Sequence, residues 1–136
     1  MPDYLSQLPG YALRRAASTL MGELGQLLET MDLRIAEATV LLLLRDHSDL
    51  TASMIGKLLD IQRANMVPLL NRLEKAGWIH RKKIDGKSLA IILTPEGRAK
   101  LAEVEPRIEA FEQDLLNRVP AHHRDHLLPA LNALWQ

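Results

Sequence analysis

Ile79-His80-Arg81-Lys82-Lys83-Ile84, then Asp85-Gly86-Lys87-Ser88, then Leu89-Ala90-Ile91-Ile92-Leu93 is the run on which the fold turns. Two short β-compatible stretches, the second rich in Ile and Leu, flank a turn carrying Asp-Gly, a strong hairpin signal. Just upstream, residues 63–76 are apolar at helical period and stop at Gly77, the residue type best suited to end a helix. Upstream again, Thr51 is an N-cap for Ile55, Leu58 and Leu59, a helix of about two turns. Asp60-Ile61-Gln62 breaks the two apart. A short helix, a turn, a second helix and a hairpin make a winged helix-turn-helix.

Outward from this centre the chain reads as helices. Residues 8–30 carry an apolar stripe (Leu13, Leu20, Leu24, Leu27, Leu28), and Gly22 and Gly25 within it mark close packing or weakness. Residues 34–47 form a second helix, apolar all round at Leu41 to Leu44 and therefore expected at the centre of the core. After the hairpin, Thr94 caps a helix that starts at Pro95 and runs to 118. Pro120 opens a last helix to about 134, and Pro129 is expected to kink it. The expected class is mainly α with a small β-hairpin wing, one domain over 1–136. Residues 34–94 are the winged helix-turn-helix, and 8–30 with 95–135 are dimerisation helices. The terminal helices cannot bury their apolar faces alone. Leu115, Leu116, Leu127, Leu131, Leu134 and Trp135 at one end, and the leucines of 8–30 at the other, call for a second, two-fold-related copy.

Composition excludes several classes of function. The chain has 136 residues, enough for one ordinary core. Lacking cysteine, it has no thiolate metal site, no disulfide staple and no thiol-based redox sensor. No uncharged apolar run reaches the length of a membrane span. The start, Met1-Pro2-Asp3-Tyr4, lacks the basic and apolar regions of a signal peptide, and the expected address is cytoplasmic. No Gly-rich phosphate loop or Gly-x-Ser-x-Gly occurs, so neither an enzyme nor a cofactor is expected. His122 and His126 stand at i and i+4 beside His123 and Asp125. No further ligand completes a metal set, and they read as a polar helix face.

Net charge is zero, but it is unevenly spread. Residues 57–87 hold eight bases against three acids, a local charge of +5 offset by −5 elsewhere. Fields are local at physiological salt, so this block can attract phosphate although the protein is neutral. On a helical wheel of 63–76, Met66, Leu69, Leu70 and Leu73 form the core side. Ala64, Pro68, Asn71 and Lys75 lie opposite, flanked by Asn65, Val67 and Arg72.

At this point the chain resembles the MarR family of bacterial transcriptional regulators. Arg72-Leu73-Glu74-Lys75-Ala76-Gly77-Trp78-Ile79-His80-Arg81 matches the family's Arg-Leu-Glu-x-x-Gly-aromatic/Leu-Ile/Val-x-Arg stretch. Leu93-Thr94-Pro95-Glu96-Gly97 matches its Leu-Thr-x-x-Gly after the wing, and Thr51 with the apolar residues behind it resembles its third helix. The resemblance implies a homodimer with two winged helices on double-stranded DNA, and commonly a small-molecule effector. The expected function is a sequence-specific, ligand-responsive repressor on a pseudopalindromic operator. The alternative is a winged helix that meets a protein instead. Two departures matter. Lys87 stands where the family wing often carries arginine, and the chain lacks the small hydroxyl residues the family more often has around 64–67 and the base it has at 68, so a different operator is expected.

The residues expected on DNA follow. Arg63 suits guanine, and Asn65 or Asn71 suits adenine. Ala64, Val67 and Pro68 suit thymine methyls, with Lys75 on the same face. Arg81, Lys82, Lys83 and Lys87 suit phosphate, as do Thr51 and Ser53 near a helix N-terminus. The resemblance implies that Arg72 and Asp85 pair to prop the wing. It also implies an effector pocket, for which Tyr11, Arg14, Arg15 and His47 are candidate contacts to a small aromatic or lipophilic anion.

Overall fold

The computed structural model describes residues 3–136, so Met1 and Pro2 of the start discussed above lie outside it. Among the described residues six α-helices and one hairpin follow in order: α1 Pro9–Glu29, α2 Ile35–Leu44, α3 Ala52–Leu59, α4 Arg63–Lys75, β1 Ile79–Lys83, β2 Leu89–Leu93, α5 Pro95–Arg118 and α6 Arg124–Asn132. The chain divides into two compact units within α5, one ending at Leu101 and the other starting at Ala102.

The first unit is built on α2. Val40, Leu41 and Leu44 are fully buried, and Leu28 of α1, Ile55 of α3, Leu70 and Leu73 of α4 and Ile91 of β2 join them in the core. The helix ends are set by local chemistry. The Thr51 hydroxyl oxygen accepts from the Met54 N–H at 3.2 Å, capping α3. Gly77 lies at φ +84°. Its N–H donates to the Glu74 carbonyl and the next N–H, of Trp78, to the Leu73 carbonyl, both at 3.0 Å, which is a Schellman ending for α4. Asp32 and Asp60 take the same left-handed conformation after α1 and α3, at φ 58° and 54°. There a short polar side chain serves in place of glycine.

β1 and β2 pair antiparallel from Ile79 opposite Leu93 to Lys83 opposite Leu89. Ile79 is the one buried residue of β1, and its other four side chains face water. The hairpin is tied back to the helix-turn-helix by a bridge between Thr51 and Ala90 and by the Ile91 N–H donating to the Leu50 carbonyl at 2.8 Å. The turn departs from expectation. Among the described residues Gly77 is the one glycine at positive φ, so Gly86 does not form the tight mirror-image turn that Asp-Gly favours. Instead the Asp85 carboxylate accepts from the N–H groups of Lys87, at 3.2 Å, and Ser88, at 3.0 Å. A side chain closes the loop where backbone freedom was expected to.

Thr94 and Gly97 lock the base of the hairpin. The Thr94 N–H donates to the Trp78 carbonyl at 3.0 Å. The Thr94 hydroxyl donates to the Gly77 carbonyl at 2.5 Å and accepts from the Gly97 N–H at 2.9 Å. Gly97 packs so tightly that a Cβ there would overlap the Trp78 carbonyl oxygen.

In the second unit α5 continues through Pro106, and a single 3-10 turn, Ala121–His123, precedes α6. The last helix therefore starts later than Pro120 and ends at Asn132, with Pro129 inside it. The Arg124 guanidinium donates to the Val119 carbonyl at 2.8 Å and the Asn117 carbonyl at 3.1 Å, satisfying the end of α5.

Candidate nucleic-acid interface

The outer face of α4 matches the helical wheel. Met66, Leu70 and Leu73 are buried and Leu69 half-buried, whereas Arg63, Ala64, Asn65, Val67, Pro68, Asn71 and Lys75 are exposed. The helix continues through Pro68, which has no N–H to give the Ala64 carbonyl. Between α3, the start of α4 and the wing lies a groove of about 830 Å³, whose lining includes Thr51, Ser53, Lys57, Arg63, Arg81 and Lys87. Asp60 is the one acid lining it. Four bases around one acid, over two hydroxyls at the start of α3, give the groove a net positive lining.

The wing cations divide in two. Arg81 is held by α4, its guanidinium 3.5 Å from Glu74 and 3.5 Å from the Asn71 side-chain oxygen. Both contacts are long and reached by water, so they hold Arg81 only weakly. Among the described residues, no hydrogen bond or ion pair engages the side chains of Arg63, Lys75, Lys82, Lys83 or Lys87. All five are exposed.

The expected Arg72–Asp85 prop is absent. Arg72 instead meets Glu37 of α2 at 3.0 Å, and Glu37 is buried with its side chain 4% exposed. The other Glu37 oxygen accepts from the Arg34 N–H at 2.7 Å, closing the first turn of α2. One carboxylate thus caps the central helix and grips the far end of α4. Neither the helical wheel nor the family motif points to Glu37. Its signal in the sequence is modest, an acid in the first turn of an otherwise apolar helix.

Asp85 is left to the wing turn. The N–H groups of Ser88 and, next, Lys87 hold its carboxyl below the ordinary value of 3.8. Since the folded value is depressed, its contribution to the turn is complete above the ordinary value and fades as pH falls through the lower, folded one. The Asp85 carboxyl resonance should therefore titrate with a midpoint below 3.8, moving together with the Lys87 and Ser88 amide signals. A midpoint at or above that value would contradict the turn geometry.

The four candidate effector contacts are not all brought together. Arg14 and Arg15 lie over the Tyr11 ring, at 5.7 and 5.9 Å from its centroid, and Arg15 donates to the Tyr11 hydroxyl at 3.2 Å. His47 is exposed beyond α2 and makes no hydrogen bond, ion pair or ring contact with a described residue. A cavity of about 490 Å³ opens elsewhere in this unit, lined by Gly25, Glu29, Asp32, Leu33, Arg34, Ile35 and Arg72. Six of these seven residues lie within 25–35, and Arg72 of α4 closes the cavity from a distant part of the chain.

Comparison with known proteins agrees with this geometry. The sequence model of the MarR family matches residues 33–88. An HTH-type transcriptional regulator of Bacillus cereus (strain ZK / E33L) is 33% identical over 94 residues, which make up 69% of this chain. The match spans 63% of that relative's length. The structure of the transcriptional repressor CouR bound to a 23-mer DNA duplex superposes with a TM-score of 0.89 at 32% identity, covering 97% of this chain and 95% of that one. The Mycobacterium tuberculosis MarR family protein Rv2887, in complex with salicylic acid, superposes with a TM-score of 0.75 at 26% identity, covering 93% of this chain and 96% of that one. With fold, motif spacing and nearly full-length similarity in agreement, this chain belongs to the MarR family.

Proposed function

We propose that the protein is a sequence-specific DNA-binding transcriptional regulator, a ligand-responsive repressor that acts as a homodimer on a pseudopalindromic operator. The observation that carries this reading is the outer face of α4, small and polar, backed by core and bordered by exposed cations that no described group neutralises. CouR, similar along nearly its whole length, has been captured on a DNA duplex. In this reading α4 enters the major groove, Arg63 and Asn65 face base edges, and Thr51, Ser53, Lys82, Lys83 and Lys87 meet phosphates. Its place of action is the cytoplasm.

Each unit leaves apolar side chains in water. In the first, Leu13 is 40% and Met21 52% exposed; in the second, Leu128 is 64%, Leu134 70% and Trp135 73% exposed. A two-fold copy would cover them and set the two α4 helices about 34–36 Å apart, one turn of duplex. The salicylate complex of Rv2887 supports a small aromatic anion as effector. The cavity whose lining sets Arg34 and Arg72 beside Glu29 and Asp32 is the candidate pocket, where a carboxylate would compete with Glu37 for Arg72 and loosen α4 from α2.

Selection of bound duplexes from a random pool, followed by affinity at varied salt, tests this. A palindromic consensus and a steep fall in affinity with salt are expected. Joint replacement of Lys82 and Lys83 by alanine should make the salt slope shallower by about one for each phosphate no longer neutralised. Failure to bind any duplex, with the fold intact, would sink the proposal.

A further inference from the structure

The middle of the exposed face of α4 is apolar. Val67 is 54% exposed, and Ala64 and Pro68 beside it are exposed too. At i, i+3 and i+4 the three form one contiguous patch. Their side chains carry no donor or acceptor. Around the patch lie Lys57, Arg63, Arg81 and Lys87, along the groove that Val67 also lines. An apolar spot ringed by cations fits a polyanion that carries an apolar group of its own. In the major groove of duplex DNA the one such group is the methyl on C5 of thymine.

Resting on the DNA-binding reading above, we infer that Ala64, Val67 and Pro68 read the pyrimidine 5-methyl group itself, so that thymine and 5-methylcytosine are accepted alike. Thymine and 5-methylcytosine carry this methyl at the same place. They differ at C4, where one presents an acceptor and the other an amino donor. Side chains without polar atoms cannot sense that difference. The patch is also stiff. Ala and Pro lose no rotamer freedom on contact, and Val is restricted at χ1, so covering a methyl brings almost no ordering cost. Binding at such an operator position is therefore sensitive to cytosine methylation.

The test uses the full-length protein and the duplex recovered by selection. At each pyrimidine of the half-site, four versions are compared: thymine, deoxyuridine, cytosine and 5-methylcytosine. Deoxyuridine removes the methyl and nothing else. At the position beneath the patch, losing the methyl should weaken binding about fourfold per half-site, and about fifteenfold when both half-sites are changed. Adding a methyl to cytosine there should strengthen binding by a like factor. Val67→Ala, an exposed change that leaves the core intact, should shrink both methyl effects and leave the salt slope unaltered.

Equal affinity for the methylated and unmethylated base at every position overturns the inference while leaving DNA binding in place. So does a thymine preference that persists in deoxyuridine, which would belong to a polar contact at O4. A methyl effect confined to thymine overturns the claim that the methyl alone is read. Recovery of no duplex at all overturns the DNA-binding reading and this inference with it.

Discussion

Replacing Gly97 by alanine should cost the protein about 3 kcal/mol of stability, near the upper end of what overpacking does to a folded core. The added Cβ would overlap the Trp78 carbonyl oxygen and lie 2.8 Å from its carbonyl carbon, both backbone atoms. No rotamer change relieves such a clash, so either α5 or the base of the hairpin must move. That movement also strains the bonds from Thr94 to Trp78 and Gly77, which hold the wing to the end of α4. In a chain of this size the melting temperature should fall by roughly 10 °C. DNA affinity should fall as well, since wing and recognition helix lose their common anchor. Thermal and urea unfolding of the variant beside the wild type decide the matter. A melting point within about 2 °C of wild type would mean that the close approach at Gly97 is not a feature of the protein in solution.

The second large effect is an asymmetry between two residues of one ion pair. Arg72→Met should destabilise by about 3 kcal/mol, while Glu37→Gln should cost about 1 kcal/mol. The partners are not equally buried, the Arg72 side chain being 44% exposed and that of Glu37 4%. Removing the arginine strands a buried carboxylate on its hydrogen bond from the Arg34 N–H, with no cation beside it. Removing the negative charge instead frees a guanidinium that water already reaches. A glutamine at 37 can still accept from the Arg34 N–H and keep α2 capped. Denaturant unfolding of both variants and of the double mutant measures the order and the coupling. A coupling near zero would show that the pair does not brace α4 against α2, and a Glu37→Gln loss as large as that of Arg72→Met would overturn the asymmetry. Both variants should weaken operator binding, because each loosens the seat of the recognition helix.

The family pattern around Arg72 and Gly97 is visible in the sequence, but its physical meaning is not. Arg-Leu-Glu-x-x-Gly and Leu-Thr-x-x-Gly look like two separate signatures. In the fold they are the two halves of one clasp, with the Thr94 hydroxyl on the Gly77 carbonyl and Gly97 against Trp78. The basic block is equally legible. Which of its members are free is not, since Arg72 and Arg81 are held by acids while Lys82 and Lys83 stand open. On the effector side, Tyr11, Arg14 and Arg15 gather on one turn of α1, and His47 does not join them.

Helix existence, the caps at Thr51, Gly77 and Thr94, the two strands of the hairpin and the core side of α4 can all be read from the chain, because each depends on neighbours within a few residues. Period and capping are short-range, and no distant partner is consulted. The choice of Glu37 for Arg72, the self-contained turn of Asp85, the crowding at Gly97 and the cavity beside Arg34 belong to the folded state alone. Most of those features join segments far apart along the chain. Sequence spacing says nothing about which charges meet once an apolar core has drawn such segments together.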